Sequence, residues 1–157
     1  MTISMYKASV PVFKQLLLAL NAILTKAEEA VSNETLLHAS LFPDMFDFTR
    51  QVQIATDFAK GVTARLAGKE VPEYEDNEAT FAELQARIAK TLQFISSIKP
   101  EEINGSEDRE IITRPGTPKE KKFNGESYLL QYGLPQFFFH ITTAYAILRK
   151  NGIVLYN

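Results

Sequence analysis

Residues 10–31 read VPVFKQLLLALNAILTKAEEAV, and this stretch decides the fold. Its apolar residues recur every three or four positions, which is the spacing of one face of a helix: Val10, Phe13, Leu17, Leu20, Leu24, Ala27 and Val31. Pro11 lies near the start of the pattern, where a missing backbone N–H costs least. We therefore predict a first helix over about residues 5–31.

The apolar run within this helix is not expected to cross a membrane. A spanning helix needs roughly 18 or more consecutive apolar residues, and Gln15 and Asn21 bracket a shorter run. No small-residue cleavage site of a signal peptide follows it. We expect a cytoplasmic protein that does not associate with membranes.

Three more stretches carry the helical period, over about residues 43–67, 78–98 and 127–150. Pro43 suits the first turn of the second helix, and Thr80 with Glu83 has the spacing of a capping box at the start of the third. Pro135 predicts a kink or a break in the last region, which Asn151-Gly152 closes.

Four amphipathic helices that cannot bury their apolar faces alone predict an all-α fold, an up-down four-helix bundle. We expect one domain over residues 1–157, because no linker interrupts the chain. Between the third and fourth helices, residues 109–113 and 121–123 are predicted to pair as a short hairpin across a Gly/Pro-rich turn. A disordered loop is the alternative.

Composition excludes several classes of function. The chain has no Cys, which rules out thiol catalysis, disulfides and Cys-ligated metal clusters. With 2 His, one chain cannot build a multi-histidine metal site. A net charge of −2 gives no general attraction to nucleic acid or anionic membranes, and we expect neither as a partner. The phosphate-binding glycine loops, H-E-x-x-H and G-x-S-x-G are also missing.

Two charged clusters are interpreted as solvated loops. The basic run Lys119-Glu120-Lys121-Lys122 lies in the Gly/Pro-rich segment, and a phosphate or nucleic-acid contact is its alternative function. Between helices two and three the chain carries an acidic cluster, for which a cation site is the alternative: Glu73, Glu75, Asp76 and Glu78.

Polar residues on the predicted inner helices indicate a candidate site. Arg50, Gln53 and Asp57 share one face of the second helix, and Gln136 and His140 lie one turn apart on the last. If the two faces meet, four side chains line one polar pocket: Gln53, Asp57, Gln136 and His140. Because buried polar groups must be paired, such a pocket holds a small molecule or a metal, or else closes into a hydrogen-bond network or an interface contact.

Long segments of the sequence resemble the DUF1993 proteins, a branch of the DinB/YfiT-like superfamily. The resemblance covers nearly the whole chain and is carried by YKASVPVF at residues 6–13, PDMF at 43–46, TRQVQIA at 49–55, TFAEL at 80–84 and FFHITTAY at 138–145. It implies a four-helix bundle, and it implies a homodimer because relatives are often dimers.

Many DinB-like proteins hold nickel or zinc on three histidines, one from the second helix and two from an H-x-x-x-H on the last. In the register that the resemblance implies, His140 matches the last histidine, Gln136 the one before it, and the helix-two ligand falls at or near Gln53. Neutral amides are poor ligands for nickel or zinc. We therefore expect no metal cofactor; were nickel or zinc to bind, His140 would be its remaining ligand.

Three functions follow from these observations. The first is a dimeric DinB-like bundle protein with a degraded metal site and a polar pocket that binds a small molecule. The second, implied by the thiol transferases of the superfamily, is a metal-dependent enzyme of that type, with His140, Asp57 and water on the metal. The third is a non-catalytic interaction module that assembles through the aromatic residues 137–139 of the last helix.

Overall fold

A computed structural model describes residues 2–31 and 34–155 and shows, within them, four long helices packed as a bundle. These helices are α1 (Val10–Ala30), α2 (Phe48–Leu66), α3 (Phe81–Ser96) and α6 (Leu134–Lys150). Shorter elements connect them: a 3₁₀ turn (Glu34–His38), α4 (Pro100–Ile103), strands β1 (Glu110–Thr113) and β2 (Lys121–Asn124), α5 (Gly125–Ser127) and a π-helix (Tyr128–Gly133). The predicted four-helix bundle is confirmed.

The predicted apolar stripes form the core. On α1, six of the seven stripe residues are completely or almost completely buried: Val10, Phe13, Leu17, Leu20, Leu24 and Ala27. The rings of Phe13 and Phe137 meet edge to face at 4.9 Å and join α1 to α6. By length and composition α1 would pass as a membrane-spanning helix. Its buried face instead makes it a core helix of the bundle.

Helices α2 and α6 run antiparallel along one another and position the candidate site. Arg65 near the end of α2 contacts Tyr128 just before α6, while Gln51 near the start of α2 contacts His140 within α6. Between these points the helices approach closely, since a Cβ on Gly133 would lie 2.7 Å from a methyl group of Val62. Only glycine permits this approach.

The second helix begins later than predicted, and Pro43 is not in its first turn. Residues 42–45 form a turn in which the Met45 N–H bonds the Phe42 carbonyl. The helix starts at Phe48 because Asp47 caps it, accepting the backbone N–H of Arg50 at 2.9 Å. At α3, the predicted cap is confirmed, since Thr80 accepts the N–H of Glu83.

Pro135 produces a change of helix type. It has no N–H to offer the carbonyl of Gln131, and the Leu134 N–H bonds the carbonyl of Leu129, five residues back. Residues Tyr128–Gly133 therefore wind as a π-helix that runs directly into α6. The chain thus changes its winding here instead of breaking, and Asn151 ends α6 as predicted.

The predicted hairpin is present and lies beside the π-helix. Strands β1 and β2 pair antiparallel, with Ile111 opposite Phe123 and Thr113 opposite Lys121. The ring of Phe123 packs against Tyr128 and Tyr132 at 5.5 and 5.2 Å. These contacts hold the hairpin against the segment that leads into α6.

Candidate functional site

A cavity of about 720 Å³ lies between α2, the hairpin, the π-helix and α6. Its volume is within the range of small-molecule sites, about 300–1,000 Å³. Of the predicted site residues, Asp57, Gln136 and His140 line it. The aromatic side chains of Phe58, Tyr74, Tyr128 and Tyr132 line it as well.

His140 is held in one orientation by a neighbouring glutamine. The Nε2 amide of Gln51 donates to the carbonyl of Phe46 at 3.2 Å, which leaves its Oε1 as an acceptor. That oxygen lies 2.6 Å from His140 Nδ1, so Nδ1 carries the proton and donates. The other ring nitrogen, Nε2, has no hydrogen-bond partner among the described residues and is the nitrogen available to the cavity.

The surroundings of His140 favour its neutral form. The side chain is buried, and its ring stacks on Phe58 with centroids 6.0 Å apart. Burial lowers the pKa of His140 below its usual value of 6.5, and the positive charge of Arg50 lowers it further. A neutral imidazole with Nδ1 protonated presents a lone pair at Nε2.

Asp57 also lines the cavity, but two cations already hold its carboxylate. Its Oδ1 lies 2.8 Å from Arg87 Nη2 and 3.2 Å from Lys60 Nζ. Burial lowers the pKa of Lys60, although Asp57 opposes the shift. The Lys60 ammonium also lies 3.8 Å from the centre of the Tyr74 ring, a cation–π contact.

Gln53 does not line the cavity with Asp57, Gln136 and His140, although Arg87 Nη2 binds both the Gln53 carbonyl and Asp57. The side-chain amide of Gln53 donates to Glu78 at 2.9 Å, and Glu78 also binds the buried Arg87 at 3.2 Å. Asp76 joins the same network at 3.0 Å from Arg87. The part of the predicted pocket that included Gln53 is therefore corrected: this residue belongs to a closed polar network, and Gln51 is the glutamine that contacts His140.

Sequence reasoning missed two sets of residues. The acidic cluster was interpreted as a solvated turn, yet Glu78 is mostly buried and, with Asp76, binds Arg87. The signal was Arg87 itself, three residues after the buried Leu84 on the inner face of α3. The second set is cationic, and the sequence pointed to only two of its members, Arg50 on the polar face of α2 and Lys121 in the basic run. Five basic residues line the cavity against two carboxylates: Arg50, Lys60, Arg65, Arg114 and Lys121.

The residues present do not fit the divalent metal that the superfamily resemblance implies. Within the described ranges, no three His, Asp, Glu or Cys side chains converge as metal ligands. Two cations hold the carboxylate of Asp57, and Gln136 offers a neutral amide. Five basic side chains around one imidazole would repel a dication.

Comparison with solved structures agrees with the architecture. A crystal structure of a DinB family member from Shewanella denitrificans, at 1.83 Å resolution, is similar to this chain with a TM-score of 0.89. The two are 36% identical, and the match covers 97% of this chain and 88% of that chain. The fold is therefore that of a DinB-like four-helix bundle.

The family assignment is equally direct. The family described as "Domain of unknown function (DUF1993)" matches residues 5–156, and the chain belongs to it. The resemblance drawn from the sequence is thus confirmed. No curated protein matches the chain with significance.

Proposed function

We propose that this protein is a DinB-like bundle that binds a small molecule without a metal, in the cavity between α2 and α6. The observation that carries the proposal is the fixed imidazole of His140, whose Nε2 has no hydrogen-bond partner among the described residues at a cavity of about 720 Å³. This nitrogen is accessible from the cavity, where it accepts a hydrogen bond from water until a ligand replaces the water.

The arrangement around His140 is suited to recognising a ligand. Gln51 fixes the tautomer, Phe58 fixes the ring plane, and Nε2 then accepts a hydrogen bond from an O–H or N–H of the ligand. Gln136 lines the same cavity one turn away and has both a donor and an acceptor to offer. Rigid positioning of this kind lowers the entropy lost on binding.

The proposal also covers the oligomeric state and the cellular location of the protein. Phe138 and Phe139 are 40% and 51% exposed on α6, a large apolar area for a free surface. Together with the dimers of the superfamily, this supports a homodimer built on α6. The cytoplasmic location is proposed on the sequence alone, which carries no signal-peptide cleavage site after its first apolar run. Light scattering coupled to size exclusion tests the dimer, and a monomer at micromolar concentration would remove it from the proposal.

A thermal-shift screen against a library of neutral and charged small molecules tests ligand binding. A molecule that binds only the folded state must raise the melting temperature. For each hit, we expect His140→Ala to abolish most of the increase. His38→Ala is the matched control, because His38 is the other histidine of the chain and its side chain is 73% exposed.

Nitrogen chemical shifts of the two imidazoles give an independent measurement. We expect a bound ligand to move the Nε2 resonance of His140 and to leave that of His38 unchanged. The proposal fails if no library member stabilises the protein. It fails equally if the hits stabilise His140→Ala as strongly as the parent protein.

A further inference from the structure

The basic residues around the cavity differ in how they are neutralised. Arg50 lies 3.1 Å from Asp76 and Lys60 lies 3.2 Å from Asp57, so each has a carboxylate partner. Arg65, Arg114 and Lys121 have no carboxylate within 4.0 Å in the described part of the chain. Glu73 is the one lining acid that is likewise unpaired within these ranges. The cavity therefore carries an excess of positive charge.

The three unpaired cations lie at the same end of the cavity. Arg65 donates to the hydroxyl of Tyr128 at 2.9 Å, and Lys121 Nζ lies 5.5 Å from the centre of the Tyr132 ring. Arg114 follows Thr113, which is paired directly opposite Lys121 in the hairpin. All three thus surround the two tyrosines of the π-helix.

Arg114 has an uncommon backbone conformation for its residue type. Its φ is +49°, in the left-handed region that glycine and asparagine adopt at lower cost. An arginine here carries some backbone strain while contributing its side chain to the cavity lining. Such outliers concentrate at functional sites, which supports a role for this guanidinium in binding.

A row of aromatic rings runs from the cationic end towards His140. Tyr128 and Tyr132 stack at 6.0 Å, Tyr132 meets Phe58 at 5.6 Å, and Phe58 stacks on His140. All four side chains line the cavity. Tyr128 is only 1% exposed, so the half-buried rings of Phe58 and Tyr132 are the ones that a flat apolar group can contact favourably.

We infer that the ligand is a planar organic anion, whose carboxylate or phosphate is bound by Arg65, Arg114 and Lys121 and whose ring packs against the half-buried rings of Phe58 and Tyr132. This inference rests on the proposed function and specifies the class of molecule that the same cavity takes. Guanidinium groups suit the inference because they bind planar carboxylates and phosphates through paired hydrogen bonds.

Calorimetric titration with four probes tests the inference on the full chain: phenyl phosphate, benzoate, benzyl alcohol and inorganic phosphate. We expect the two aromatic anions to bind at least about tenfold more tightly than benzyl alcohol, the gain from a charge-assisted hydrogen bond. Inorganic phosphate, which lacks the ring, should bind more weakly than phenyl phosphate. The comparison of benzoate with phenyl phosphate identifies the preferred anionic group.

Neighbouring lysines on β2 provide a matched pair of variants. Lys121 lines the cavity, whereas Lys122 pairs with Ile112 on the opposite face of the ribbon. Each substitution to Gln removes one positive charge, but only Lys121 can contact the bound anion. For the aromatic anion that binds more tightly, we expect Lys121→Gln to lower the affinity by about tenfold and Lys122→Gln to change it by less than about twofold. Arg114→Asn removes the guanidinium and introduces a residue that tolerates the left-handed backbone. It should lower the affinity for the anion to a similar extent.

Three outcomes overturn the inference. The first is benzyl alcohol binding as tightly as the anions; this result retains the cavity as a binding site and removes only the anion. The second is an equal effect of Lys121→Gln and Lys122→Gln, which would assign the attraction to net charge. The third is no binding of either aromatic anion at millimolar concentration, while the separate library screen still decides the proposed function.

Discussion

Helix α2 carries two polar regions that differ in whether their hydrogen-bonding and charged groups have partners. In the first region, Arg87 is only 3% exposed and binds three carboxylates, those of Asp57, Asp76 and Glu78. Gln53 joins this network through Glu78. In the second region, Gln51 holds His140 at the cavity. In the first region donors and acceptors meet each other. In the second, within the described residues, one imidazole nitrogen has no hydrogen-bond partner and three cations have no carboxylate partner.

The difference shows how a structural polar network can be distinguished from a binding site on the same helix. Satisfied groups stabilise the fold, and their loss is expected to appear in the free energy of unfolding. Unsatisfied groups contribute little to folding, and their loss is expected to appear in ligand affinity. By this rule Gln51 is a structural group although it lies beside the cavity, because its amide is paired with both Phe46 and His140. Four substitutions or conditions test the distinction between paired and unpaired groups.

Replacing Arg87 by Leu is expected to have the largest effect. The substitution removes the cation from Glu78, whose side chain is 10% exposed, while Asp57 and Asp76 keep Lys60 and Arg50 as partners. Breaking the buried Arg87–Glu78 pair costs about 3 kcal/mol. In a chain of this size, the melting temperature should fall by about 10 °C. Urea denaturation at neutral pH measures the change, and a loss below about 1 kcal/mol would show that the network is not structural.

Gln51→Ala should cost less, about 2 kcal/mol, because it strips the partners from His140 Nδ1 and the Phe46 carbonyl. Gln53→Ala is the control and should cost about 1 kcal/mol, since Glu78 keeps its contact with Arg87. Nitrogen shifts should also reveal a mixture of His140 tautomers in Gln51→Ala alone. An unchanged tautomer would contradict the orienting role of Gln51.

Acidification should destabilise the protein through His140. Because burial lowers its pKa in the folded state below 6.5, the unfolded state binds more protons just below that pH. The free energy of unfolding should therefore rise with pH and level off above about 6.5, as far as this residue contributes. His140→Gln should reduce the slope relative to the parent protein, and His38→Ala should retain it; equal slopes in all three proteins would refute the assignment.

Arg114→Asn is expected to have the smallest effect on stability, within about 0.5 kcal/mol. The side chain is exposed and makes no ion pair in the described ranges, and asparagine accepts a positive φ. Chemical denaturation of the ligand-free protein measures it. A large loss of free energy of unfolding would show that Arg114, like Arg87, is a structural residue.

The bundle was predictable because a buried stripe must repeat with the turn of the helix, as it does from Val10 to Ala27. The site was only partly predictable. Gln51 and Gln53 flank the buried Val52 and differ by about 200° around the helix, so spacing alone does not say which one faces α6. The helical spacing correctly predicted that Asp57, Gln136 and His140 line one cavity, but it predicted Gln53 as the glutamine beside His140, where the structure has Gln51.

Which charged residues pair with one another could not be predicted from the local sequence. Whether Lys121 lines a cavity or points to solvent depends on how the hairpin packs against Tyr132, a contact between a strand and the following helix. Similarly, Glu78 in the loop before α3 is neutralised by Arg87 within α3. Packing between different elements decides both contacts, and the periodicity within one element carries no information about it.

The π-helix lets the chain accommodate one extra residue beside this cavity. An α-helix advances by about 100° for each residue. Because the hydrogen bonds of a π-helix span five residues, the six residues Tyr128–Gly133 turn about as far as five residues of an α-helix. We therefore expect deletion of the exposed Leu130 to restore ordinary winding while Tyr128 stays beside Arg65. A single-codon deletion at this point would thus shorten the chain and leave the orientation of the segment before it nearly unchanged.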